Sequence, residues 1–323
     1  MSADQSVTYY RPHFSAAAPG RVQSHAIRTR AGYMESTFFS FLRTRRAGTL
    51  VAAVGGVPAA SDGSLIVSAT LSAPLAARWE ALLAALARIV DAHPDVLLAS
   101  SMGVEDTLLI HAGAQLPRPP GVFMLDTGRL HAETRAMADV VRARYGIETQ
   151  ALHPDPAAVQ AHVAAHGEFA FYDSVDLRKA CCGIRKVEPL RRALAGRSAW
   201  ITGQRREQSL TRVELPESEW DDTFGLQKFN PLAHWTADDV WTVVRALDVP
   251  YNPLHDRGYP SIGCEPCTRA VRPGEDARAG RWWWEQRDSR ECGLHAGNLR
   301  TAGQPGVRAR TPLSTDITET STS

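Results

Sequence analysis

The chain has 323 residues, 44% of them hydrophobic, and its 36 Lys and Arg against 35 Asp and Glu leave a net charge of +1. The length admits one large domain or two ordinary ones, and the charge balance excludes a generally basic nucleic-acid binder and an acidic disordered chain. No run approaches the roughly 20 apolar residues of a membrane-spanning helix, and five cysteines in so long a chain do not make a disulfide scaffold, so metal ligands or reactive thiols in a reducing compartment are expected.

Residues 1–75 mix Arg, Ser, Gly and Ala with little periodicity. The basic Arg43–Arg46 stretch and the apolar run after it have the look of a signal peptide, but they lie far from Met1 and are broken by Gly55, Gly56 and Pro58. This segment reads as a disordered leader or as the product of a start codon placed too early, with Met34 as a later start. From there the chain alternates. Leu75 to Val90 has the spacing of an amphipathic helix, through Leu75, Trp79, Leu82, Leu83, Leu86 and Ile89. A buried strand is expected over Asp95 to Ser100, a helix over Thr107 to Ala114, and a second strand over Val122 to Leu125. Ala132 to Tyr145 reads as a helix, Ile147 to Leu152 as a third strand, and Pro156 to His166 and Val187 to Ala195 as further helices. Ala199 to Thr202 is a fourth strand, Gln227 to Asn230 a fifth, and Thr236 caps a last helix. Residues 301–323 are polar and rich in Ser, Thr, Pro and Gly, a mobile tail. Strands alternating with helices predict an α/β fold, a mainly parallel sheet with helices on both faces, and place ligands at the carboxyl ends of the strands.

Three loops follow such ends. Ser100-Ser101-Met102-Gly103-Val104-Glu105-Asp106 is a Ser/Gly turn entering a helix, which offers backbone N–H groups and hydroxyls to an anion, although Ser and Asp are also ordinary helix caps. Asp126-Thr127-Gly128 forms a turn beside it. Thr202 to Arg212 carries Arg205, Arg206 and Arg212, whose forks suit phosphate and sulfate, or which simply solvate a loop.

The five cysteines divide into four and one. Cys264 and Cys267 have the spacing with which two thiolates grip one metal site, and Cys181-Cys182 adds an adjacent pair, which is poorly suited to an internal disulfide. Four converging thiolates mean Zn²⁺ or an iron–sulfur cluster, and spacing does not choose between them. Cys292 has no partner left. A thiol beside Arg290 and His295 gains thiolate character, the nucleophilic form, or is simply an unpaired cysteine at the surface or in the core.

Together these stretches resemble the assimilatory sulfonucleotide reductases, in particular the iron–sulfur type that acts on adenosine 5′-phosphosulfate (APS). The matching segments are Ser100–Asp106, Leu125–Gly128, Cys181–Lys186, Thr202–Arg212, Cys264-x-x-Cys267 and Glu291-Cys-Gly-Leu-His295, spanning about 75 to 298. Met102 departs from the Ser common before the loop glycine. Arg290 departs from a common Lys, the leader has no counterpart, and no thioredoxin-like domain follows the core.

The resemblance implies a doubly wound sheet of the adenine nucleotide alpha-hydrolase-like (PP-loop) type in one catalytic domain over 76–300. Cys181, Cys182, Cys264 and Cys267 would ligate a [4Fe–4S] cluster, with Lys186 linking cluster and substrate charge. Ser100, Ser101, Asp106, Thr127, Arg205 and Arg206 would face the adenylate, while Arg278, Arg281 and His295 would neutralise the phosphosulfate. Cys292 would be the nucleophile. APS is the implied substrate, thioredoxin or glutaredoxin the reductant, and the cytoplasm the compartment, with a homo-oligomer left open. The nearest rival is 3′-phosphoadenylylsulfate (PAPS) as substrate. More distant ones are an ATP-dependent adenylating or thiolating enzyme and a zinc nucleic-acid-binding module.

Overall fold

A computed structural model describes residues 70–208 and 214–285. The leader up to residue 69, residues 209–213, and the segment carrying Cys292, His295 and the tail lie outside the described residues.

The apolar stripe predicted from residue 75 forms α1 (Ala73–Ala92), with Pro74 in its first turn and Leu75, Trp79, Leu82, Leu86 and Ile89 buried. Burying side chains of this size contributes about 1.5–3 kcal/mol each. The strands are β1 (Leu97–Ser100), β2 (Gly121–Leu125), β3 (Thr149–Leu152) and β4 (Ala199–Thr202). Between β1 and β3 stand α2 (Val104–Gly113) and α3 (Ala132–Tyr145). After β3 come α4 (Pro156–His166), α5 (Val175–Cys182), a π-helical turn Gly183–Val187 and α6 (Glu188–Leu194). The strands β5 (Ser218–Asp221) and β6 (Leu226–Phe229) and the helix α7 (Ala237–Ala246) follow.

The sheet runs β3-β2-β1-β4-β6-β5. Its first five strands are parallel and β5 is antiparallel to β6. The expected parallel α/β sheet is therefore present, with a polar antiparallel edge that the sequence reading left out. Side chains alternate between two cores. Leu98, Val122, Met124 and Ile201 pack with α1, α2, α3 and α7 on one face. Phe123 and Trp200 pack with Leu190 and Leu194 of α6 on the other.

The chain runs outward from β1 through β2 to β3, then returns to place β4 on the opposite side of β1, with Ala99 opposite Thr202. That reversal opens a crevice beyond the carboxyl ends of β1 and β4, where doubly wound sheets bind ligands. Among the described residues, no helix is long and apolar enough to cross a membrane.

Candidate active site

The first loop turns on Met102, whose φ of 59° is uncommon for a non-glycine residue, with its side chain fully buried. Its N–H donates to Ser100 Oγ at 3.1 Å. Asp106, in the first turn of α2, accepts from the Ser101 N–H at 2.5 Å and from Ser101 Oγ at 2.7 Å. Asp106 thus staples the loop closed over the helix N-terminus, and burial raises its pKa to about 6 against those hydrogen bonds. Gly203, after β4, packs so closely that a Cβ there would run into the Asp106 carboxylate. The N–H of Val104 donates to His255 Nε2 at 3.2 Å.

A cavity of about 610 Å³ opens on this loop, within the range of small-ligand sites. Ser100, Ser101 and Asp106 line it on one side, and Thr127 and Lys186 at its base. Arg205, Arg278 and Arg281 complete the charged wall. Residues from five separate segments that the sequence singled out therefore meet in one place.

The arginines differ in their engagement. Arg205 is buried, with Nε and Nη2 donating to Glu105 at 3.0 and 2.9 Å and Nη1 to Glu207 at 3.1 Å. Its fork is held in the wall by carboxylates, a partnership 100 residues apart that no local pattern announces. Arg206 turns to the Leu215 carbonyl at 2.8 Å and does not line the cavity. Arg281 reaches the Ile262 carbonyl at 3.1 Å and Ser261 Oγ at 3.3 Å, and its buried Nε has no hydrogen-bond partner among the described residues. Such a donor is left for a bound anion. Its guanidinium occupies the space a Cβ on Gly263 would take.

The cysteines sit behind the cavity. Cys181 and Cys182 end α5, which Ser174 caps by accepting from the Leu177 N–H at 3.1 Å. The π turn that follows, a feature frequent at functional sites, carries Lys186 to the cavity. Its Arg185 donates to the Thr127 carbonyl at 2.7 Å, tying the turn to the loop after β2. The Cys264–Cys267 turn is clamped to the same loop through a bridge between Leu130 and Cys264 and the Glu265 N–H on the Arg129 carbonyl. Thr127 Oγ1 lies 3.2 Å from Cys264 Sγ, so one side chain touches both the cavity and the sulfurs.

Burial pushes the Cys267 thiol up to about 12, helped by Cys264 and Cys182 and opposed by Lys186 and Arg281. Cys181 is raised by burial too, with Arg185 opposing. None of the four described cysteines is in a disulfide. Among the described residues, no three His, Cys, Asp or Glu side chains are grouped to hold one metal ion. An iron–sulfur cluster asks for something else, because each thiolate takes a different iron and the sulfurs stand wider apart. Two buried and two half-buried thiols flanked by Lys and Arg, from two converging segments, suit that donor set.

Sequence reasoning missed Glu105, which holds Arg205, and His255, which meets the helix N-terminus. A lone His in a turn-rich stretch carries no signal, and only the fold brings it across 151 residues.

A crevice at the switch point of a parallel sheet, lined by a Ser/Gly loop and Arg side chains and with four cysteines behind it, defines an α/β nucleotide-site protein. The chain belongs to the phosphoadenosine phosphosulfate reductase domain family, whose model matches residues 95–270, over half its length. It is 61% identical over 232 residues to the adenosine 5′-phosphosulfate reductase of Burkholderia cepacia, covering 72% of this chain and 93% of the relative. It is 50% identical over 221 residues to that of Allochromatium vinosum, covering 68% and 86%. The crystal structure of phosphoadenylyl-sulfate reductase from Candida auris superposes with a TM-score of 0.51 at 26% identity, over 59% of this chain and 90% of that one.

Proposed function

We propose that the protein reduces APS to sulfite and AMP through a covalent adduct on Cys292, as a step of sulfate assimilation toward cysteine. The observation that carries this reading is the single cavity shared by the Ser100–Asp106 loop, Lys186, Arg278 and Arg281, with Thr127 joining it to the cysteines.

The loop and the N-terminus of α2 receive the adenylate, shaped by Asp106 and by a wall that Arg205 braces through Glu105. Arg278, Arg281 and Lys186 hold the phosphosulfate, and His295 joins them. Their charge offsets the repulsion between an incoming thiolate and an anionic group. Cys292 thiolate attacks the sulfate sulfur, a sulfur–sulfur bond forms, and the bond to the phosphate oxygen breaks with its electron pair leaving on AMP. A thiolate of thioredoxin or glutaredoxin then attacks Cys292 Sγ and expels sulfite. Its second thiol resolves the mixed disulfide, so the dithiol supplies both electrons. Cys181, Cys182, Cys264 and Cys267 would hold a [4Fe–4S] cluster, which when bound would supply a rigid centre of Lewis-acidic irons and need not change oxidation state. Four described cysteines outside any disulfide and a dithiol reductant support a cytoplasmic setting for the reaction.

The 61% identity to a protein named for APS favours that substrate over PAPS. Anaerobically purified protein, supplied with a thioredoxin system, is expected to release sulfite and AMP from APS with a kcat/KM far above that for PAPS. A preference for PAPS, or pyrophosphate release from ATP in place of sulfite, would overturn the assignment.

A further inference from the structure

Beside the cavity lies a buried ion pair that this chemistry does not use. Arg178 Nε donates to Glu285 Oε1 at 2.5 Å and Nη2 to Oε2 at 2.9 Å, a fork-to-fork contact with both side chains almost wholly excluded from solvent. The Arg178 guanidinium stacks 4.6 Å from the ring centroid of Trp282, and that of Arg281 lies 4.7 Å from the same centroid. Trp282 is buried and has a φ of 44°, a region bulky residues rarely enter, and its N–H donates to the Cys267 carbonyl at 3.2 Å. The Glu285 N–H closes a turn on the Trp282 carbonyl at 2.9 Å.

The ends of this assembly are placed unusually. Arg178 stands on α5, three residues before Cys181. Glu285 stands seven residues before Cys292. A buried ion pair gives little net stability over apolar packing of the same volume. A bidentate pair does fix a distance and an angle. Seven residues extend at most about 25 Å, so the position of Glu285 bounds where Cys292 can go.

We propose that Arg178 and Glu285 are positioning residues: their pair, closed over Trp282, fixes the point from which the chain sets out toward Cys292 and so sets the rate at which that thiolate meets bound APS. Trp282 makes the same anchor continuous with Arg281, which holds the phosphosulfate. The anchor rests on the function proposed above. It acts after substrate binding, because neither Arg178 nor Glu285 lines the cavity.

The test compares the anaerobic full-length wild type with Glu285→Gln and Arg178→Lys. Arg178→Lys leaves no buried charge unpaired and guards against a misfolded Glu285→Gln. Each protein is mixed with APS and no reductant, and sulfonation of Cys292 is followed by rapid quench and mass spectrometry. Equilibrium APS affinity and iron content are measured on the same samples. Both variants are expected to bind APS and retain iron like the wild type while sulfonating Cys292 about 10- to 100-fold more slowly, the penalty of a misplaced nucleophile. Arg178→Lys, which keeps one charged donor, is expected to be the faster of the two. Unchanged rates, or rates that fall only in step with APS affinity or iron content, overturn the anchor alone. A wild type that forms no adduct on Cys292 overturns both the anchor and the function on which it rests.

Discussion

At the scale of single residues, the site is built by side chains that hold one another. Asp106 closes the loop on Ser101, Glu105 takes the fork of Arg205, and Arg281 lies where Gly263 has no side chain. Gly263 is not among the glycines of positive φ, so its role is one of space and not of backbone freedom. Gly263→Ala should push the Arg281 guanidinium off its seat and weaken APS binding roughly tenfold, the cost of one charge-assisted hydrogen bond. Equilibrium titration with APS checks this, and an unchanged affinity would show that the seat does not matter. Much of this residue scale was legible in the sequence. The four cysteines and the Ser/Gly turn stood out by type and spacing, while Arg278 and Arg281 were reached only through the family resemblance. Glu105 and His255 did not stand out, because their meaning lies in partners 100 and 151 residues away.

At the scale of elements, legibility followed the strength of the end signals. Pro156 follows Asp155, which accepts from the Ala157 N–H at 3.0 Å, and Gly146 ends α3 with a φ of 68°. Both helices run as their sequence predicts. Thr236 caps α7 with a reciprocal box through Asp239. The strand β5 escaped notice because Ser218–Asp221 is a polar edge whose Trp220 is exposed. The α5 helix and its π turn escaped because the helix is short and the residues it buries are Arg178 and Cys182, not a run of large apolar side chains. One element contact predicts a pH effect. His111 on α2 lies 3.0 Å from the Tyr145 hydroxyl of α3 and packs on Trp79 of α1. Burial lowers its pKa to about 4. Below pH 6.5 the unfolded chain takes up a proton that the folded chain refuses until about pH 4, so stability falls across that window as pH drops. The loss amounts to about 3 kcal/mol for this one group. Asp106, whose raised pKa adds stability over the same window, offsets part of this in the wild type, so the loss is read as a difference: in urea unfolding at pH 7 and pH 4.5, His111→Phe should lose distinctly less than the wild type. Equal losses in the two proteins would remove His111 from the account.

At the scale of the whole molecule, the reversal of strand order between β3 and β4 does the decisive work. It brings the loops after β1, β2 and β4 to one crevice, and sets the two cysteine pairs behind it through the loop after β2. The sequence reading anticipated the parallel sheet and the crevice from strand–helix alternation alone. It could not anticipate that Arg178 and Glu285 would pair across 107 residues, since that pairing exists only once α5 and the segment after the Cys264–Cys267 turn are packed together. The same packing connects Arg281, α5 and Glu285 in one short path through Trp282. The measurement that bears most directly on the whole account is the fate of sulfur in a single turnover. Anaerobic protein is incubated with APS labelled in its sulfate sulfur, without reductant, then digested and sequenced by mass spectrometry. The account predicts one labelled sulfonate per chain, on Cys292, released as sulfite by thioredoxin and absent from Cys292→Ser. Label that remains in APS, or that appears on another cysteine when Cys292 is replaced, would contradict it.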